Sequence, residues 1–255
     1  MAIASLDPSI THLGWVIFDE NKIGKRAVLE AGVFKTRPAD GLLIQRLITQ
    51  RERVRLLLTH WDVKFLAMEA PYWQDFNTEL LFALNQHIHE AFLDQQIFVI
   101  YIQPSTLKRY ALPKMKMEDI TKHHITHQAK KELNLMGKKF SEHVADAYFV
   151  GKIGLKFYQW YFMHKYKDSD LTEYEQKLFC GKHTFKRGVK KGMTEYTGII
   201  YRENDQFFNY KKQKRDSIKI AEEIKSGREE NLHSGRIFKG YKSTSNTKGL
   251  SKKSK

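Results

Sequence analysis

The sequence predicts an α/β protein with a mixed five-stranded sheet that helices cover on both faces. Apolar runs at residues 3–7 and 13–19 flank a turn-rich step and indicate an antiparallel hairpin, which residues 30–34 extend to three strands. Residues 64–69 and 97–101 are later apolar strands that alternate with helices, and this alternation is typical of parallel pairing. The sheet is therefore expected to be antiparallel on one side and parallel on the other.

The helices follow from the spacing of apolar residues. Helical spacing recurs from Leu43 to Trp61 and again from Leu80 to Leu93. A last helix begins after Ser141, a favourable N-cap residue, and continues into an aromatic-rich stretch at residues 157–163. The apolar faces of these helices are expected to form the core.

Four polar side chains stand at the ends of these elements. Asp7 ends the first strand, and Glu69 interrupts an apolar strand just before Pro71 stops it. His143 and Asp146 are three residues apart at the start of the last helix, so both lie on one helix face. Each has an ordinary explanation when taken alone, because Asp before proline favours turns and acidic residues favour helix N-termini. We therefore interpret the set, rather than any single member, as a candidate site.

The order and spacing of these residues resemble the RuvC-type Holliday-junction resolvases, which have the RNase H-like fold. The resemblance covers about the first 155 residues, and Ser9 stands where the family has a glycine. The matching segments are Leu6-Asp7-Pro8, Leu13-Gly14-Trp15, Arg46-Leu47, Met68-Glu69-Ala70, Pro104-Ser105-Thr106-Leu107-Lys108 and His143-Val144-Ala145-Asp146-Ala147.

This resemblance implies a DNA endonuclease with two Mg²⁺ ions, for which Mn²⁺ can substitute. Three carboxylates and an imidazole suit two divalent ions about 4 Å apart, the arrangement used for in-line phosphodiester hydrolysis. Asp7 is expected to bind both ions. Glu69 and Asp146 would each complete one site, and His143 would bind a metal or position the water. The implied enzyme is a homodimer that cuts a four-way junction symmetrically, leaving 5′-phosphate and 3′-hydroxyl ends.

The resemblance also suggests DNA contacts near the site. Lys108 matches the lysine of the family's Pro-x-x-x-Lys segment, and Lys116 approximately matches a second family lysine. Tyr72 and Trp73 follow the Glu69 strand, near the place where a family loop contacts junction bases. A plain surface loop explains these two aromatic residues equally well.

Two alternative functions stay open. An enzyme with the same fold could act on flaps, on other branched DNA or on RNA-DNA hybrids. A protein of another class would bind branched DNA without cutting it. The presence of all four candidate ligands argues against this second alternative.

Composition agrees with a nucleic-acid partner. The formal net charge of +15 and the isoelectric point near 9.6 favour a polyanion, and the lack of a long apolar segment favours nucleic acid over a membrane. The single cysteine excludes an intramolecular disulfide and favours a reducing compartment. Because the start has no signal-peptide pattern, we expect the cytoplasm, that of the host if the protein is phage-encoded.

Most of the excess positive charge lies in the C-terminal part. Residues 152–255 hold 25 of the 44 Lys and Arg residues but only 12 of the 29 acidic ones. We expect a nuclease domain at 1–155, a basic extension at 156–242 with a hairpin at 194–201 and 206–210, and a disordered tail at 243–255. A solvated basic surface is the alternative to a DNA contact for the extension. The predicted phosphate contacts there are Lys186, Arg187, Lys190, Lys191, Lys211 and Lys212.

Two patterns are similar to zinc sites. His123 and His127, on a predicted helix that also carries His124, are spaced to share one face, but without an HExxH motif a basic helix facing DNA is favoured. Cys180 and His183 resemble half of a zinc knuckle, with no second half nearby.

Overall fold

The computed structural model describes residues 1–71, 78–92, 95, 97–137 and 139–180, and the backbone of four short strands at 182–184, 194–196, 200–203 and 206–209. All of these residues lie in one compact unit, Met1–Gln213. A second unit, Lys214–Lys255, lies outside the described residues.

A mixed sheet forms the centre of the first unit. Its strands are β1 (Ala2–Asp7), β2 (His12–Asp19), β3 (Val28–Lys35), β4 (Val63–Glu69) and β5 (Phe98–Ile102), and further along the chain β6 (Lys182–Thr184), β7 (Thr194–Tyr196), β8 (Ile200–Glu203) and β9 (Gln206–Asn209). The order across the sheet is β3-β2-β1-β4-β5-β8-β9, and β6 and β7 pair separately. β1, β2 and β3 are antiparallel neighbours, whereas β1, β4 and β5 run parallel.

Helices cover both faces of this sheet. They are α1 (Leu43–His60), α2 (Thr78–Glu90), α3 (Pro104–Ala111), α4 (Lys122–Leu133), α5 (Glu142–Tyr161) and the single turn α6 (Glu173–Glu175). Buried residues of α1 and α2 share one core, and those of α3, α4 and α5 share the other. None of the described helices is both long and apolar enough to cross a bilayer.

The two cores receive alternate residues of each central strand. In β1, Ile3 belongs to the core beneath α5, whereas Ala4 and Leu6 belong to the core beneath α1. β4 divides in the same way, with Phe65 on the α5 side and Leu66 on the α1 side. A strand buried on both faces is apolar throughout, which explains why these segments lack polar alternation.

The close approach of α5 to the sheet depends on glycine. A Cβ at Gly14 in β2 would collide with the backbone carbonyl of His143, at the start of α5. A Cβ at Gly151 would collide with the ring of Phe18. Because both collisions involve packed groups, a side chain at either position would push the helix away from the sheet.

The predicted mixed five-stranded sheet with helices on both faces is confirmed, and the later hairpin adds two strands to it. β8 pairs antiparallel with β5, and β9 pairs with β8. The hairpin strand expected at 194–201 consists of β7 and β8, separated by residues outside the described part of the chain. Local pattern located the hairpin, but its pairing with β5 is a long-range contact that a local pattern does not encode.

The segment directly after residue 155 packs with the rest of the described fold. α5 runs through this position to Tyr161, and Phe157, Leu171 and Phe179 are buried in the same core as α5. The division of the chain at 155 and 243 stays a prediction, since residues 210–255 lie outside the described residues.

Candidate active site

Two of the candidate carboxylates meet at one edge of the sheet. Asp7 is the last residue of β1 and Glu69 is the last residue of β4. These strands are parallel neighbours in a register that pairs Leu6 with Met68, so the next residue of each strand reaches the same edge. Asp7 is buried, with 8% of its surface exposed. The sequence predicted this pair, because each residue ends an apolar run that is typical of a buried strand.

The other two candidates come from the start of α5. Nδ1 of His143 donates a hydrogen bond to Oδ2 of Asp7 at 2.9 Å. Asp146 lies one turn further along α5, on the same helix face. The tight contact between Gly14 and His143 holds this end of the helix against β2, whose residue Gly14 pairs with Asp7. The structure thus brings all four predicted residues to one place.

A cavity of about 610 Å³ opens at this edge. Its acidic wall contains Asp7, Glu69 and Asp146, and its basic rim contains Lys108 of α3 and Lys122 of α4. A concave site that combines convergent carboxylates with cationic side chains can hold divalent cations and an anionic substrate together.

The carboxylates of this cavity disfavour each other's ionisation. Burial, followed by the charge of Asp7 and a hydrogen bond with it, raises the pKa of Glu69 well above its usual value. Burial and then the charge of Asp7 raise the pKa of Asp146 to about 7. Crowded, partly desolvated carboxylates of this kind are stabilised in their ionised form by a bound cation.

A hydrogen bond and a stacking contact orient the ring of His143. Its hydrogen bond with Asp7 is the main cause of a raised imidazole pKa, against the opposing effect of burial. The ring of His12 stacks on the His143 ring, with centroids 5.5 Å apart and planes within 1° of parallel. Sequence reasoning missed His12, because its proximity to His143 arises only when α5 docks on β2.

The lysines around the site differ from the predicted pair. Lys108 borders the cavity, and Lys116 is exposed at the residue before a 3-10 turn and does not border it. Lys122 borders the cavity instead, and its charge opposes part of the rise that burial and Asp7 cause in the pKa of Glu69 and of Asp146. The N-cap Thr121, which starts α4 directly before Lys122, is the sequence signal that could have found it.

Several predicted contacts cannot be placed on this site. Tyr72, Trp73, Lys186, Arg187, Lys190, Lys191, Lys211 and Lys212 lie outside the described residues, as do the side chains of Cys180 and His183. His123 and His127 face solvent on α4 with ring centroids 6.5 Å apart. Within the described part of the chain, no third His, Cys, Asp or Glu joins these two rings as a metal ligand.

The donor set fits divalent metal ions by its chemistry. Three carboxylates supply the hard oxygen ligands that Mg²⁺ prefers, and Nε2 of His143 is the ring nitrogen not bonded to Asp7. No three His, Cys, Asp or Glu side chains among the described residues already surround one point as ligands. Binding therefore requires the carboxylates to turn toward the ions.

Comparison with known proteins supports the fold. No protein-family model matches the chain, and no curated protein matches it in sequence. The RuvC structure of Thermus thermophilus aligns at a TM-score of 0.50 and 22% identity, covering 64% of this chain and 97% of RuvC. T. thermophilus RuvC in complex with a Holliday junction substrate aligns at 0.49 and 21% identity, covering 64% and 96%. Fowlpox virus resolvase in complex with Holliday junction DNA aligns at 0.36 and 15% identity, covering 61% and 97%. At these identities the likeness concerns the fold alone, and this chain has the RNase H-like fold of RuvC.

Proposed function

We propose that this protein is a metal-dependent endonuclease that cuts branched DNA, with four-way junctions as its substrate. The observation that carries the proposal is the convergence of Asp7, Glu69 and Asp146 in one cavity with Lys108 and Lys122 at its rim. The net charge of the protein, +15, favours a polyanionic substrate. The RuvC fold supports the same interpretation.

Each residue of the site would have a separate role in hydrolysis. Asp7, Glu69 and Asp146 would hold two Mg²⁺ ions, which would supply an activated water and stabilise the charge that develops on phosphorus. The charge of Asp7 acts on both of the other carboxylates. Asp7 would therefore bind both ions, and Glu69 and Asp146 would each hold one. Asp7 also fixes the ring of His143 by their hydrogen bond, and the other ring nitrogen would bind a metal or orient water. Lys108 and Lys122 would bind the phosphate, and hydrolysis leaves 5′-phosphate and 3′-hydroxyl ends.

Symmetric resolution of a four-way junction requires two such sites. We therefore propose a homodimer, with each cavity directed at one of two opposed strands. RuvC of T. thermophilus, whose fold this chain shares, binds a Holliday junction as its substrate, and this supports the choice of junction for this chain.

The test compares cleavage and binding of a synthetic mobile four-way junction in Mg²⁺. Asp7→Asn preserves shape and removes charge, so we expect unchanged junction affinity and a loss of cleavage of at least about 100-fold. Asp62→Asn is the matched control, because Asp62 pairs with Lys64 at the surface and its side chain is 80% exposed. Full activity in Asp7→Asn would overturn the proposal.

The same assay separates the alternatives. A junction preference of less than about tenfold over a flap or an RNA-DNA hybrid would favour a broader nuclease with the same fold. Tight junction binding without cleavage in Mg²⁺ or Mn²⁺ would favour a binding protein.

A further inference from the structure

A segment that follows α5 packs against α3, the helix that carries Lys108. We call residues 168–179 the α6 segment, because they include α6. Leu171 and Phe179 of this segment are buried in the same core as Leu107 of α3. The α6 segment comes after the part of the chain that resembles RuvC in sequence, so its contacts with α3 do not follow from that resemblance.

Two tyrosine hydroxyls join the α6 segment to α3. The hydroxyl of Tyr174 donates to the backbone carbonyl of Thr106 at 3.2 Å. The hydroxyl of Tyr110, on α3, donates to Oε1 of Glu175 at 3.1 Å. The rings of the two tyrosines also lie close together, with centroids 6.4 Å apart. The α6 segment therefore both donates to α3 and accepts from it.

Glu175 is a fixed acceptor for the hydroxyl of Tyr110. It is buried, and its Oε2 accepts hydrogen bonds from the backbone N–H and the hydroxyl of Thr172 at 2.9 and 3.0 Å. Thr172 is the N-cap of α6, and its Oγ1 accepts from the backbone N–H of Glu175. These reciprocal bonds hold the α6 segment in shape where it meets α3.

α3 depends on its neighbours for its position. It has eight residues, begins with Pro104 and has no side-chain hydrogen bond at its N-cap, Gln103. An isolated helix of this length is unstable in water, so packing against other elements must hold it. The bonds at Thr106 and Tyr110 are part of that support.

Lys108 lies on the opposite side of α3 from these bonds. Thr106 and Tyr110 are four residues apart and share one helix face. Lys108 is two residues from each of them, which is about 200° around the helix axis at 3.6 residues per turn. Lys108 and Ser105 border the cavity. A tilt of α3 on the side of the α6 segment would therefore move Lys108 relative to the carboxylates.

We propose that the α6 segment positions α3 so that Lys108 meets the phosphate, and that Tyr110 and Tyr174 are positioning residues for cleavage. The inference rests on the proposed function, in which Lys108 binds the phosphate. Because hydrolysis is sensitive to displacements of about 1 Å, loosening α3 lowers cleavage even where the fold is intact. The two tyrosines thus act through the charge of Lys108.

The test asks whether the effect of the two hydroxyls depends on Lys108. Tyr110→Phe and Tyr174→Phe are combined in one variant, which keeps both rings, and the pair is made with Lys108 and with Lys108→Met. With Lys108 we expect kcat/KM for a mobile four-way junction in Mg²⁺ to fall about 5- to 30-fold, since two ordinary hydrogen bonds are lost. With Lys108→Met the same pair should lower kcat/KM less than about twofold further. Tyr158→Phe, which removes a hydroxyl that contacts Met1, is the control and should cut like the wild type.

A second measurement does not need cleavage. The slope of log affinity for the junction against log salt concentration, measured in EDTA, reports the number of phosphate contacts. Lys108→Met should make this slope shallower by about 1. The double tyrosine variant should also make it shallower, by up to about 1, but should add nothing to Lys108→Met. A loss of stability alone would leave the slope unchanged.

Each other outcome contradicts a stated part of this account. An equal fall in kcat/KM with and without Lys108 would make the tyrosines purely structural and overturn the inference. Wild-type cleavage and an unchanged salt slope in the double variant would overturn it as well. Tyr174→Phe alone, which keeps the bond between Tyr110 and Glu175, replaces the double variant if that variant does not fold. If the wild type binds junctions but cuts none, the proposed function falls and this inference falls with it, whereas cleavage without the dependence on Lys108 overturns the inference alone.

Discussion

Replacing Asp146 by asparagine should stabilise the metal-free protein while abolishing the proposed nuclease activity. Asp146 borders the cavity, and burial together with the charge of Asp7 raises its pKa to about 7. Asparagine has nearly the same shape and carries no charge. The variant Asp146→Asn therefore removes an electrostatic cost that the folded protein bears, together with a proposed metal ligand.

The size of this effect follows from the pKa of Asp146. Raising a carboxyl pKa from 3.8 to about 7 costs about 4 kcal/mol at 1.36 kcal/mol per pH unit. Because the side chain keeps some contact with solvent, we expect about 2–4 kcal/mol. The folded state holds the proton more tightly than the unfolded state, so stability is full below pH 3.8 and declines as pH rises to about 7. The advantage of Asp146→Asn should thus be near zero at pH 4 and complete at pH 8.

Urea unfolding in EDTA at pH 4 and pH 8 measures this difference. Asp62→Asn controls for the loss of an exposed negative charge, and it should change stability equally little at both pH values. Adding Mg²⁺ at pH 8 should raise the stability of the wild type and leave Asp146→Asn nearly unchanged. If Asp146→Asn is no more stable than the wild type at pH 8, or gains the same stability at pH 4 and pH 8, the buried charge of Asp146 does not destabilise the fold.

Three further predictions concern packing, a partly buried ion pair and DNA affinity. Gly14→Ala should lower cleavage at least about tenfold with little loss of junction binding, because its Cβ would displace the start of α5 at His143, and cleavage and binding assays measure both effects. Burial alone would raise the pKa of Glu132, but a hydrogen bond of 2.6 Å from Lys152 holds this pKa below its usual value. Lys152→Met should therefore lower the free energy of unfolding by about 1–3 kcal/mol at pH 7. This loss should shrink as pH falls below about 4.5, which urea unfolding at several pH values would detect. The third prediction concerns the six basic residues of the extension, Lys186, Arg187, Lys190, Lys191, Lys211 and Lys212. Neutralising all six should make the slope of log affinity for DNA against log salt concentration shallower by about 5 without moving the cleavage site. An unchanged slope would show that these residues do not contact DNA.

The parts of the site that lie on strand and helix ends could be predicted from the sequence. Asp7 and Glu69 end apolar runs, and the parallel pairing of their strands brings them together. His143 and Asp146 follow a clear helix start, and the resemblance to RuvC predicted that they would lie close to Asp7. The five-stranded sheet was predictable for the same reason, since each strand is bounded by local signals.

The missed residues depend on contacts between distant segments. His12 reaches His143 only because Gly14 lets α5 approach β2. Lys122 borders the cavity and Lys116 does not, and this difference depends on how the 3-10 turn at Met117–Asp119 directs the chain into α4.

An anomalous-difference map from a crystal of the protein soaked in Mn²⁺ tests the proposed metal site directly. We expect two Mn²⁺ ions about 4 Å apart, with Asp7 contacting both and Glu69 and Asp146 contacting one each. Crystals of Asp7→Asn soaked in the same way should lose at least one of the two peaks. A wild-type map with no Mn²⁺ in the cavity, or with Mn²⁺ only at His123 and His127, would exclude a metal site formed by Asp7, Glu69 and Asp146.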